Sequence, residues 1–402
     1  MTSLRREGLP MQEYKHKTYR FFQIYYFFTF FGFGALFPLL SIFLEEEKGL
    51  NHTQIGLIIA ALPLVTIFIQ PLWGMISDHT KRTRRLLAIA TLLAAILGLL
   101  YPLWQGFIFL YAGMLIIAVF QSAIVPLSDS LSLSYVQQHG KQYGNIRLWG
   151  AIGFAVAVFV LGRVTEVAGS LNWVFIFFSG GLILALLSLS QFPKHGEGVA
   201  VSFREGLKVL TKQKSFMIFL LSNFLVFGPV LANNYYFGTF ILTVGGTLTA
   251  VGIAFLFAAG SEAPFMKISQ FIIDKLGIFR VLIISSSVSF FRWLIYAFEP
   301  SSGIVYATTV MQGVSVGLYI PAALILVREL APKDVIATAV GLYSAVGNGL
   351  GNAFFTFIGG VWIDALHVFG MYGFFSAMTF TGMVLIVVVS KREGKQIYLE
   401  GG

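Results

Sequence analysis

Pro71-Leu72-Trp73-Gly74-Met75-Ile76-Ser77-Asp78-His79-Thr80-Lys81-Arg82-Thr83-Arg84-Arg85 is the stretch that decides how this chain is built. It closes one long apolar run and opens the next. The short loop between them carries Lys81, Arg82, Arg84 and Arg85, with Asp78 just ahead of that charge. Two apolar runs joined by a short basic loop read as two membrane spans connected in the cytoplasm, where loops are enriched in Lys and Arg.

The composition outside this stretch agrees. The chain has 402 residues, of which 57% are hydrophobic and 11% charged, with a mean hydropathy of +0.81. That is more apolar surface than one or two soluble cores can hide. A hydrocarbon layer of ~30 Å takes ~20 apolar residues per helical crossing. Such runs lie at Thr18–Leu44, Thr53–Ile76, Leu86–Trp104, Phe107–Tyr135, Ile146–Val167 and Leu171–Gln191, then at Ser215–Leu242, Leu248–Ile273, Val281–Phe298, Gly303–Leu330, Val335–Ile363 and Val368–Ser390. The alternating ten-residue segments of a membrane barrel are absent.

The expected fold is therefore all-α and integral to the membrane, with twelve transmembrane helices in two six-helix halves. The boundaries read as a tail at 1–17, a first half at 18–191, a central loop at 192–214, a second half at 215–390 and a tail at 391–402. The central loop is the longest polar stretch, and its Phe203–Leu210 segment has the make-up of a short amphipathic helix on the membrane surface. The polar, basic start lacks a cleavage site after an apolar core, so it reads as a retained cytoplasmic tail.

Charge placement sets orientation. With both termini in the cytoplasm, all but four of the 27 Lys and Arg residues fall on the cytoplasmic side. The exceptions are Lys48 and Arg163 outside, and Arg147 and Arg292 within spans. The net charge of +9 is thus a topology signal, which removes the case for a nucleic-acid partner. The absence of Cys excludes disulfides and thiolate metal sites. There is no phosphate-binding loop and no pair of metal-spaced His, so neither an enzyme nor a cofactor is expected. The partners are the lipid bilayer, a small solute and protons, and the expected state is a monomer in the plasma membrane.

An ionised side chain inside a bilayer costs several kcal/mol unless it is paired or faces water, so embedded charges are candidate functional groups. Four stand out: Asp129, Arg147, Glu262 and Arg292. Asp129 lies in the cytoplasmic half of the fourth span and Arg147 about one turn into the fifth, so a hairpin through Gly140 can set carboxylate against guanidinium as a bidentate pair. The same pair also reads as an ion pair that only staples two helices. Glu262 sits at the middle of the eighth span beside Pro264, a helix-kinking residue. Loss of water there disfavours its charged form and suits it to exchange protons. Arg292, in the ninth span, is either a counter-charge to such an acid or a side chain reaching for the interface.

These residues carry a resemblance. Gly74, then Asp78, then the basic cluster, resembles the loop between the second and third spans of major facilitator superfamily transporters. Phe271–Arg280, with Asp274, Lys275, Gly277 and Arg280, is similar to a degenerate second copy. Tyr143-Gly144-Asn145-Ile146-Arg147-Leu148-Trp149-Gly150-Ala151-Ile152-Gly153-Phe154 resembles the fifth-span signature of the phenylpropionate permease and oligosaccharide:proton symporter branch, the lactose-permease-like branch.

The resemblance implies a proton-coupled symporter that moves a small polar solute, a sugar or nucleoside first, by alternating access. Asp129, Arg147, Glu262 and Arg292 then bind substrate and couple it to protonation. Gln23, Tyr26, Gln121, Trp149, Asn233, Asn234 and Gln312 line the cavity. Gly74, Asp78, Arg82, Asp274 and Arg280 form a cytoplasmic gate. One departure matters: where many relatives carry a histidine in the tenth span, this chain has Gln312, so a proton relay through His is excluded there. The alternatives are a proton-driven efflux antiporter and an aromatic-acid importer. A channel or receptor would need neither internal acid–base pairs nor duplicated gating loops. Most Gly and Phe residues read as packing, with the glycines from Gly341 to Gly360 allowing close helix contact in the eleventh span.

Overall fold

Helix is the only regular structure that lets one strand of chain satisfy its own backbone inside hydrocarbon, and helices account for nearly every regular segment here. The computed structural model describes residues 11–193 and 203–400. The first ten residues, the last two, and positions 194–202 of the central loop lie outside the described residues.

Six spans occupy Met11–Glu46, His52–Thr80, Thr83–Leu100, Phe107–His139, Tyr143–Ala168 and Trp173–Ser188. After the short helix Phe203–Leu210 come Lys214–Thr243, Leu248–Leu276 and Ile278–Ala297. The tenth span, read from sequence as continuous, is in three pieces: Ser302–Thr309, Met311–Gly317 and Tyr319–Leu330. The eleventh starts as Ile336–Ser344 and widens to a π turn at Ala345–Gly351, where the sequence clusters its glycines. Helix Asn352–Glu400 then holds the rest of the eleventh span and the twelfth, broken at Leu366 and His367. Among the described residues eleven segments are long and apolar enough to cross a membrane, and this break divides the last of them. The chain is a multi-pass membrane protein.

Local chemistry sets several ends. Asn51 caps the second span in a reciprocal box with Gln54. Gly140, at φ 62°, ends the fourth span and turns the chain into the fifth, as the hairpin reading requires. The basic loop is tighter than its sequence implies. Asp78 is still helical and Arg84 and Arg85 already belong to the third span, so Lys81 and Arg82 alone make the turn, with Lys81 left-handed at φ 51°. The Ser77 and Thr83 hydroxyls meet across it at 2.8 Å.

Packing repeats between the halves. The first span lies on the fifth as the seventh lies on the eleventh, the second on the fourth as the eighth on the tenth, and the third on the sixth as the ninth on the twelfth. Apolar burial drives little helix association in lipid, so small residues at contacts do the work. A Cβ at Gly153 would come within 2.1 Å of the Phe27 carbonyl oxygen, and one at Gly34 within 2.5 Å of that of Phe154.

Hydrogen bonds between the halves cluster at the end of the bundle opposite the Lys81–Arg82 turn. There the Ser41 hydroxyl donates to the Tyr235 carbonyl at 2.6 Å, and Asp364 and Glu166 each accept from a backbone N–H of the other half.

Candidate functional site

The fourth and fifth spans bring Asp129 and Arg147 to the same place, though not as the bidentate pair that their spacing allows. The Asp129 Oδ1 atom accepts from the Tyr143 hydroxyl at 2.7 Å and from the Tyr26 hydroxyl as well. The nearest Arg147 nitrogen stays 4.0 Å from that same oxygen. Two phenols have taken the acceptor that the guanidinium would need. Arg147 instead sits over Phe30, its Cζ 4.3 Å from the ring centre, a contact that suits a weakly hydrated planar cation. Its side chain is 43% exposed and that of Asp129 30%. Tyr26 is buried and also meets the Ser132 hydroxyl at 3.1 Å, which fixes the phenol that holds the acid.

The second half builds its site differently. Arg292 is only 2% exposed, which excludes the reading in which it reaches for the interface. Its Nε donates to the Tyr296 hydroxyl at 3.0 Å and its Nη1 to the Gln312 Oε1 at 2.8 Å. The other end of the same amide donates from Nε2 to the Glu262 Oε1 at 2.8 Å. Only this amide orientation satisfies both neighbours, because arginine has donors alone and a carboxylate offers acceptors. Acid and base are therefore joined through a neutral bridge that passes on orientation but cannot carry a proton. Three rings surround the guanidinium: Phe237, Trp293 and Tyr296 lie 5.2 to 5.5 Å from it. Its Nη2 is buried and has no partner among the described residues.

Gln312 sits on the seven-residue middle piece of the tenth span, between breaks at Val310 and Leu318. The bridge is thus mounted on a short helical segment. Gly313 of that piece lies against the backbone of Ser261 in the eighth span, next to Glu262.

The remaining sequence candidates divide. Asn233 is buried and accepts from the Tyr372 hydroxyl at 2.7 Å, so its carbonyl oxygen is already engaged in packing. Gln121 carries a buried Oε1 without a partner among the described residues. Gln23 and Asn234 are half-buried, and Trp149 is exposed with its ring in an edge-to-face contact with Phe27. The residues expected to form a gate are apart. Asp78, Arg82, Asp274 and Arg280 are exposed, and among the described residues no ion pair joins Asp78 to Arg82 or Asp274 to Arg280. Asp274 accepts from Gln270 of its own helix at 2.8 Å. Gly74 meets no neighbouring atom that a Cβ would touch.

Sequence reading did not single out Tyr143 as a ligand of Asp129, although it opens the fifth-span signature. It placed Gln312 in the cavity without seeing that it would bridge the two charges.

An aromatic file also escaped it. Tyr26, Phe30, Phe33 and Phe37 follow one another along the first span at ring separations of 5.5 to 6.1 Å and end on Tyr235 of the seventh, 5.8 Å away. The signal was present as aromatic residues spaced three or four apart on one helical face.

Comparison with known proteins places this architecture. A model of the MFS_1 like family matches residues 19–374. A maltose permease of Geobacillus stearothermophilus is 45% identical over 92% of this chain and 94% of its own length. A raffinose permease of Escherichia coli is 30% identical over 44% of the chain and 43% of its own length. Among solved structures, that of a mutant of the nucleoside transporter NupG superposes with a TM-score of 0.84 over 92% of this chain and 99% of its own, at 17% identity.

Proposed function

Because this chain belongs to the MFS_1 like family, whose relatives named above are permeases and transporters, we propose that it is a proton-coupled sugar symporter for a disaccharide of the maltose class. The observation that carries this reading is the similarity to a maltose permease over 92% of a chain that sets one embedded acid and one embedded arginine in each half.

In this reading Asp129 and Arg147 recognise the sugar. The phenols of Tyr26 and Tyr143 hold the carboxylate, the guanidinium is left uncommitted, and Phe30 offers a ring beside it. Both charged side chains are partly exposed, as a group that must meet a solute requires.

Glu262 carries the coupling proton. When it is ionised, Gln312 holds it in line with Arg292; when it is protonated, that tie weakens and the spare Nη2 of Arg292 turns to a new acceptor. A unit charge crossing 100 mV is worth about 2.3 kcal/mol, enough to concentrate a sugar some tens of fold.

The chain acts as a monomer in the plasma membrane with both termini in the cytoplasm. Residues 18–191 and 215–390 rock against each other about the loop at 192–214. Asp78 and Arg82, with Asp274 and Arg280 as weaker counterparts, close the cytoplasmic side when the cavity faces out, and no ion pair joins them in the structure among the described residues.

The test is uptake of labelled maltose by proteoliposomes with an imposed inward proton gradient. Accumulation above the equilibrium level that a protonophore abolishes is the expected result. Accumulation of uridine or 3-phenylpropionate in place of maltose, or expulsion of solute, would reassign the substrate or the direction. No gradient-driven accumulation of any of them would overturn the symporter.

A further inference from the structure

The two halves meet at the end opposite the basic turn through a contact that occurs twice. In the fifth span Gly162 precedes Glu166 by one turn, and in the eleventh Gly360 precedes Asp364 by one turn. Each faces the start of a helix in the other half: Leu248–Leu276 for the fifth, His52–Thr80 for the eleventh.

The glycines bring the backbones together. A Cβ at Gly162 would fall 2.3 Å from the Leu248 carbonyl oxygen, and one at Gly360 would fall 2.1 Å from that of His52. Four residues into each receiving helix stands another glycine. A Cβ at Gly252 would lie 2.7 Å from the Val158 carbonyl oxygen, and one at Gly56 3.0 Å from that of Phe357.

With the backbones this close, each carboxylate reaches the first turn of the opposing helix. The Glu166 Oε2 accepts from the Thr249 N–H at 2.9 Å. Asp364 accepts from the His52 N–H at 3.0 Å and, through its other oxygen, from the Thr53 N–H at 2.7 Å and the Thr53 hydroxyl at 2.6 Å. The first N–H groups of a helix have no partner within it and lie at its positive end, so a carboxylate is the natural complement.

We infer that Glu166 and Asp364 are the two arms of a duplicated latch that holds this end of the bundle shut by capping helices of the opposite half. Each cap exists only while the halves are closed here. Opening this end exchanges both carboxylates for water and leaves Asn51 and Thr247, the local caps of the two receiving helices, to serve alone.

The arms are unequal. Asp364 takes two N–H groups and a hydroxyl, and His52 stands between it and Glu45, with ring nitrogens 3.1 and 3.3 Å from the two acids. On the other arm Leu248 replaces that imidazole, Glu166 takes a single N–H, and its nearest charged neighbour is Arg163 of its own helix at 3.9 Å. The Asp364 arm is therefore the stronger. The use of the latch in a transport cycle rests on the reading above; its action on the closed state does not.

Spin labels test it without any substrate, so a failure here is separate from a failure to transport maltose. The chain has no Cys, and Gln105→Cys and Ser301→Cys label exposed loops of the two halves at this end. The intact latch is expected to give one main interlabel distance by double electron–electron resonance in nanodiscs. Removing a helix cap shifts a two-state balance roughly fivefold. Glu166→Ala should raise the share of a longer distance by about that factor, and Asp364→Ala by more. The double variant should multiply the two effects, because the arms touch different helices.

Glu166→Gln and Asp364→Asn keep an acceptor and lose the charge, so they should shift less, and they carry the test if the alanine variants do not fold. Distance distributions that superimpose on the parent in every variant would overturn the latch. A shift for only one arm would overturn its duplication.

Discussion

The acid of the first half and the acid of the second half are held in opposite ways. Asp129 is gripped by two phenols while its arginine stands 4.0 Å off against a ring, and both charges are partly exposed. Glu262 is tied to a neutral amide that is itself tied to an arginine only 2% exposed. A charge that must meet an incoming solute has to keep free hydrogen-bonding capacity and some access to water. A charge that must register a proton is better embedded in a network whose geometry depends on its ionisation. The difference fits the proposed division, with recognition in the first half and coupling in the second.

The largest expected effect comes from removing the uncommitted cation. Arg147→Ala should cut initial sugar uptake by at least about a hundredfold, since it leaves a substrate group unpaired in the site. Asp129→Asn should do the same, with helical content and elution volume unchanged in both. Near-normal uptake by both variants would reduce the pair to a contact between helices and erase the contrast.

Next in size is Glu262, the proposed coupling acid. Glu262→Gln keeps an acceptor for the Gln312 amide but holds no exchangeable proton. Accumulation driven by a proton gradient should collapse from tens of fold to about one, while exchange of labelled for unlabelled sugar continues. If exchange is lost together with accumulation, Glu262 belongs to the recognition site as well.

The smallest effect refines the first half alone. Tyr143→Phe removes one of the two phenols on Asp129 and should raise the half-saturating sugar concentration roughly fivefold, about the worth of one net hydrogen bond, with little change in maximal rate. A loss as large as that of Arg147→Ala would show that the phenols do more than orient the acid.

The topology was legible because hydrocarbon forces a coarse code. Long apolar runs, a basic turn at Lys81 and Arg82, and the glycine turn at Gly140 state the crossings and the hairpins with little ambiguity. The embedded charges were legible for a related reason, since Asp129, Arg147, Glu262 and Arg292 interrupt windows that otherwise exclude them.

What each charge touches was not legible. Tyr26, Tyr143 and Arg147 all offer donors to Asp129, and the winner depends on side-chain angles and on a ring at Phe30 that holds the guanidinium back. The breaks beside Gln312 and the π turn at Ala345–Gly351 were hidden as well, because a run of small and apolar residues reads the same whether the helix is regular or not.

The latch at the far end has a consequence for how such a molecule comes to exist. One half supplies a glycine and an acid on its fifth span and a receptive helix start on its second, and the other half supplies the same two parts on its eleventh and eighth. Any single six-helix unit bearing both parts is self-complementary. Two identical copies related by a twofold axis in this arrangement would form both arms at once as an isologous interface. A chain that joins two such units in one polypeptide carries a symmetric seam, and His52 against Leu248 is where its two arms differ.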